Sequence, residues 1–155
     1  MTGRTLTIEQ DYRVNAPASR VFRALSEPSG LARWFLARAK LEPRTGSEYE
    51  FVWQGGYHHT GVVLDFAAGR RISLSWPNRV GRESLITRVT LSVRRDGAGT
   101  IVRLRHAGYP RRDPWIEVYG ATEYGWANFL TNLKSVLEHG HDLRPRRPRR
   151  RTRAR

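Results

Sequence analysis

Between Tyr119 and Gly140 the residues Trp126, Phe129, Leu130, Leu133, Val136 and Leu137 recur at intervals of three and four. That is the apolar stripe of an amphipathic helix. The pattern predicts one long helix from Asp113 or Trp115 to His139, with a weak point at Tyr119-Gly120 and Gly140 as its stop. Upstream the period changes to two. Tyr49, Phe51 and Trp53 share a face, as do Val62, Leu64 and Phe66, then Ile72, Leu74 and Trp76. Leu85, Thr87, Val89, Leu91 and Val93 follow, then Val102, Leu104 and His106. Alternation of this kind marks strands with one buried face. Turn chemistry separates them at Arg44-Thr45-Gly46, Gly55-Gly56, Ala67-Ala68-Gly69, Pro77-Asn78 to Gly81, and Asp96-Gly97-Ala98-Gly99. Before these runs lie a strand from Thr5 to Val14 and two short helices. The first has Pro17 in its opening turn, carries Val21, Phe22 and Leu25, and ends at Pro28. The second spans Ser29 to Leu36 with Leu31, Trp34 and Phe35 on one side.

The order is strand, two short helices, about six strands in hairpin succession, long helix. It predicts an α+β fold whose antiparallel sheet, of about six to seven strands, buries its apolar face against the helical stripe. A single long helix covers such a sheet best on a concave side.

Composition changes this picture at one end. Eight arginines stand in the last twelve residues, RPRRPRRRTRAR, and carry more than half of the formal net charge of +14. The expected domain is therefore 1–143, followed by a disordered tail at 144–155. Such a tail suits non-specific contact with nucleic-acid phosphates or an anionic membrane, or serves solubility alone. No aromatic residue interleaves the arginines, so base stacking is not signalled. Arginine outnumbers lysine 26 to 2, a bias that codon usage explains equally well. With no cysteine in the chain, thiol catalysis, disulfides and cysteine-based metal sites are excluded. The histidines show no metal-ligand spacing, so no metal or other cofactor is expected. The N-terminus has no apolar signal region and no window is long enough to span a bilayer, which predicts a cytoplasmic protein.

Five blocks then add up in order: VNAPASRVFRALSEPSGLARWF, GSEYEFVW, GVVLDFAAGRRISLSWP, GAGTIVRLRHAGY and YGWANFLTNLK. Together, over residues 5–140, they resemble the AHSA1 family, proteins homologous to the C-terminal domain of the Hsp90 ATPase activator. That family belongs to the START-like, Bet v 1-like (SRPBCC) superfamily. The resemblance implies a helix-grip fold, with a curved antiparallel sheet around the long C-terminal helix and a cavity between them. It does not choose a function, because the superfamily includes lipid and sterol carriers, polyketide cyclases, hormone receptors and chaperone activators.

The residues expected between helix and sheet are Phe51, Trp53, Val62, Leu64, Phe66, Trp76, Val89, Leu104, Trp126 and Leu130, with Trp34 and Phe35 at the mouth. They suit a lipophilic or aromatic small molecule; the plain alternative is that the rings fill the core. His106 is in phase with Val102 and Leu104 and is the sharpest polar candidate, as a ligand anchor or a strand-end histidine bonded within the protein. In the register of Val62 and Leu64 the inward histidine of the pair His58-His59 is His58; a bulge near Gly61 swaps them. Glu123, three residues before Trp126, is expected on the cavity side. The leading expectation is non-catalytic binding of the small molecule. One rival is a cyclase or hydrolase using His106, Glu123 and Tyr119 for proton transfer; it lacks any nucleophile–base motif in the sequence. The other is a chaperone-associated interaction module with a filled core.

Overall fold

A computed structural model describes residues 4–145. The elements are β1 (Leu6–Val14), α1 (Ala18–Ser26), α2 (Pro28–Trp34), β2 (Arg38–Leu41), β3 (Glu48–Val52), β4 (His58–Ala67), β5 (Arg71–Val80), β6 (Glu83–Asp96), β7 (Gly99–Tyr109) and α3 (Trp115–His139). The strands form one antiparallel seven-stranded sheet in the order β1-β7-β6-β5-β4-β3-β2. The curved sheet grips α3, the predicted α+β helix-grip arrangement. Six strands follow by simple succession, and β1 closes the far edge against β7.

Alternation decides which face each strand buries. On β6 and β7 the inward set is Thr87, Val89 and Leu91 with Val102, Leu104 and His106, all nearly inaccessible. Their outward neighbours Arg103 and Arg105 stand opposite Asp11 and Glu9 of β1 and pair with them. Such exposed pairs fix register more than they add stability. Pro28 both stops α1 and opens α2 at its first turn. The two helices pack so tightly that a β-carbon on Gly30 would run into the Arg23 carbonyl.

Helix α3 is continuous through Tyr119-Gly120 and ends on Gly140 in the left-handed conformation, φ 67°. Its predicted stripe is what it buries: Trp126, Leu130, Leu133, Val136 and Leu137 are 0–4% exposed. Each aliphatic member contributes roughly 1.5–3 kcal/mol by leaving water. The buried Asn132 ties the helix to its surroundings, giving its amide N–H to Trp34 O (2.8 Å) and to Asp142 Oδ1 (3.0 Å). Arg144, counted with the tail from the sequence, is docked instead. Its guanidinium donates to Leu36 O and Ala32 O, each 3.0 Å away, and grips Asp142. The remaining tail, 146–155, lies outside the described residues.

Two strand expectations need correction, and both concern the same place. Val62 and Leu64 point outward, each 38% exposed, and Val63 is the buried residue. The inward set of β4 is His59, Gly61 and Val63; an irregularity between Val63 and Asp65 then returns Phe66 to the inner face. One extra residue flips the side-chain phase, so the alternative register, with His59 rather than His58 inward, is the one adopted. Second, Pro77 to Val80 is not a loop but the end of β5, paired residue by residue with β6 from Glu83 to Ile86 and turning at Gly81. Proline is tolerated there because β4 has already left: β4 pairs with β5 only at Val63 and beyond, while His58 to Val62 pair with β3.

Candidate functional site

The sheet therefore splits between the first half of β4 and the second half of β5. Side chains seal the start of the split. Tyr49 on β3 lies across Gly61 and donates from its hydroxyl to Ser75 O (2.6 Å), while Ser75 Oγ accepts the Val62 N–H (2.8 Å). Glycine is required at 61, where a β-carbon would sit 2.5 Å from the Tyr49 ring.

Beyond that seal a cavity of about 370 Å³ opens between the split and the first half of α3. Its walls are aromatic: Phe35, Trp53, Tyr57, Trp76, Trp126 and Phe129. The helix contributes Val118, Thr122, Gly125 and Phe129, again at helical spacing, and the small middle pair makes room. Nothing lies within 4 Å of where a Gly125 β-carbon would stand. Polar groups come from the split itself, namely His59, Asn78 and Arg79. The size and the mostly apolar lining are those of a small-molecule site.

The ring lattice is continuous. Trp76 lies 5.5 Å from Trp126 and 5.9 Å from Trp53, and Phe35 lies 5.3 Å from Trp126, all centroid to centroid. Behind Trp126 runs a buried polar chain. The indole N–H of Trp126 donates to His106 Nδ1 (3.0 Å), and His106 Nε2 faces Thr87 Oγ1 at 2.6 Å. An indole only donates, so Nδ1 must be the bare nitrogen and Nε2 carries the proton. Thr87 accepts it and passes its own hydroxyl proton toward Trp76 O (3.2 Å). Asn78 joins by donating to Thr87 Oγ1 and Trp76 O, and accepts from the Tyr109 hydroxyl (2.7 Å). Burial holds the His106 pKa down to about 3 and raises that of Tyr109. His106 is a neutral strut that fixes the Trp126 ring.

Residues 15–138 match the family described as "Activator of Hsp90 ATPase homolog 1-like protein". The chain belongs to that family. Similar solved structures of this AHSA1 family fold include protein MLL2253 from Mesorhizobium loti, 22% identical with TM-score 0.77, covering 88% of this chain and 99% of that one. The Aha1 dimer from Colwellia psychrerythraea is 20% identical with TM-score 0.73, covering 87% and 98%. CalU16 from Micromonospora echinospora is 28% identical with TM-score 0.65, covering 84% and 73%. No curated protein matches the sequence.

Within this family member the expected site residues lie in different places. Trp53, Trp76 and Trp126 line the cavity. Trp34, Phe51, Val89, Leu104, Leu130 and His106 are fully or almost fully buried behind it; Trp34 spends its N–H on Ala24 O (2.8 Å) and stacks on Phe35. Phe66 faces inward at the other end of the sheet, against Phe22. Val62, Leu64 and Glu123 point away from the cavity. Glu123 sits on the solvent side of α3 because the wall is formed by Thr122, Gly125 and Trp126; its backbone carbonyl accepts from Gln10 and its carboxylate lies beside Tyr119. Tyr119 is half-buried beside Tyr109. The proton-transfer set His106, Glu123 and Tyr119 is thus not assembled: both His106 nitrogens are bonded inside the protein and Glu123 faces solvent. Sequence reasoning missed Arg79, Thr122 and Gly125 as lining, and reached His59 only through the alternative register. The spacing Val118, Thr122, Gly125, Phe129 would have shown the helix side of the wall; the His59 side depended on the β4 register.

Proposed function

We propose that the chain binds a lipophilic or aromatic small molecule, without catalysis, in the cavity between Trp126 and the β4–β5 split. The observation that carries this reading is the space itself: about 370 Å³ walled by six aromatic rings and floored by a glycine with nothing opposite it. A chaperone-associated interaction module predicts a filled core, and the cavity sets that alternative second. Rigid rings make such a site inexpensive to occupy, since little side-chain entropy is lost on binding. No helix among the described residues is long and apolar enough to cross a membrane.

The test is a titration with 2-acetylnaphthalene, a neutral bicyclic aromatic, followed through the indole N–H signals of Trp53, Trp76 and Trp126. Saturable movement of these signals supports the reading. Unmoved signals across this and other apolar probes overturn it.

A further inference from the structure

Among the described residues one buried side-chain polar atom has no hydrogen-bond partner, Nδ1 of His59. His59 is 9% exposed, stands in the cavity wall, and is boxed by Trp53 (5.1 Å), Tyr57 (5.1 Å) and Trp76 (4.9 Å). Its other nitrogen is engaged: Nε2 lies 3.1 Å from the Tyr57 hydroxyl. An orphaned polar atom in a folded interior is costly and rare, and in a ligand cavity it marks where the ligand's polar group belongs. The contrast with His106 is direct. Both histidines are buried in the same aromatic lattice, yet His106 has both nitrogens satisfied by Trp126 and Thr87, whereas His59 has one.

We infer, building on the small-molecule reading above, that the ligand is a planar aromatic anion, a carboxylate or phenolate, whose rings lie against Trp53, Trp76 and Trp126 and whose oxygen accepts a hydrogen bond from His59 with Arg79 beside it. The reasons are chemical. An anionic oxygen selects the His59 tautomer with its proton on Nδ1, and the Tyr57 hydroxyl then donates to Nε2, so every polar group in the box is satisfied. Nδ1 itself has no accessible surface, so meeting the anion takes a turn of the imidazole about χ2, a broad torsion, with the exposed Tyr57 side chain following Nε2. Arg79 lines the same cavity from β5 and spends only its Nε, on Gly81 O (3.2 Å), which leaves the two terminal nitrogens of its fork to face an anion. A protein of formal net charge +14 attracts anions on approach. The Asn78 amide cannot serve as the anchor, because its N–H groups go to Trp76 O, Leu85 O and Thr87 and its carbonyl takes the Tyr109 proton.

Three probes of one shape separate the claims: 2-naphthoate, neutral 2-acetylnaphthalene, and 2-ethylnaphthalene, which has no polar group. Affinities are read from tryptophan fluorescence at low salt, and the tautomer from the ¹⁵N shifts of His59. The expected order places naphthoate at least about tenfold tighter than ethylnaphthalene, as a charge-assisted bond predicts. His59→Phe and Arg79→Gln each remove most of that advantage, read as the ratio of naphthoate to ethylnaphthalene affinity within the same variant, because both side chains line the cavity. Arg79 is exposed, so its replacement leaves folding intact, and the ¹⁵N signature needs no variant. Equal affinities for all three probes, or His59 shifts that ignore naphthoate, overturn the inference while the cavity reading stands. Absence of binding by all three overturns both.

Discussion

Replacing His106 by leucine tests the buried polar chain that fixes Trp126. The substitution removes both partners that the imidazole supplies. The Trp126 N–H loses its acceptor and Thr87 Oγ1 loses one of its two donors, keeping Asn78, in a region with no accessible surface at position 106. One orphaned N–H at about 1–3 kcal/mol and one lost hydrogen bond at about 0.5–1.5 kcal/mol, less what leucine gains by burial, give a loss of about 1–3 kcal/mol near pH 8. Against a usual total of about 5–15 kcal/mol this is large enough to read in urea. The pH dependence gives a second, independent handle. Burial places the folded pKa of His106 at about 3 and that of His59 at about 4, below the ordinary 6.5. Between pH 5 and 6 the unfolded chain binds close to one proton on each histidine and the folded chain close to none. Stability is complete above the unfolded value and falls as pH drops through that window, by about 1.4 kcal/mol per pH unit for each histidine. His106→Leu should roughly halve the slope contributed by the pair, so the gap between variant and wild type narrows toward acid. The assay is urea unfolding by tryptophan fluorescence near pH 8, 6 and 5. A variant as stable as wild type near pH 8, or one with an unchanged slope, refutes the neutral-strut account.

Other substitutions probe the remaining parts. Gly61→Ala should cost about 1–3 kcal/mol in urea unfolding, because its β-carbon displaces the Tyr49 ring and breaks the bond to Ser75 O; Tyr49→Phe should cost about 1 kcal/mol by losing that bond alone. Arg144→Ala frees the Leu36 and Ala32 carbonyls and the Asp142 carboxylate, which Arg144 holds down at a pKa of about 2. Faster amide exchange at the end of α2 with little change elsewhere is the expected result. Glu123→Gln should leave stability and ligand affinity within about 0.5 kcal/mol of wild type, since its side chain faces solvent.

Period-two alternation placed six of the strands and period-three-and-four spacing placed α3, because both patterns are enforced by a single dry face. Trp76 and Trp126 were legible as cavity markers for the same reason. The site's second wall was not. A bulge at Leu64 is one residue of backbone irregularity, invisible to alternation, yet it turns Val62 and Leu64 outward and His59 inward. Pro77-Asn78 reads as a turn by local chemistry, and only the departure of β4 makes it strand. Glu123 shares a helix with Trp126, but the neighbouring Thr122 and Gly125 occupy the wall, a distinction of about 100° per residue around the axis. The resemblance to the AHSA1 family supplied curvature and the existence of a cavity; what opens it is the β4 irregularity and the small pair Thr122 and Gly125.

Gly125→Leu meets the central claim most directly. The helix gains a better former than glycine, and the new side chain grows into empty space, so stability should hold or rise by up to about 1 kcal/mol. The cavity, however, fills. Titration of both proteins with 2-acetylnaphthalene, read at the indole signals of Trp53, Trp76 and Trp126, should show saturable binding to wild type and none to the folded variant. Unmoved indole signals in wild type, or the same binding in Gly125→Leu, would contradict the account.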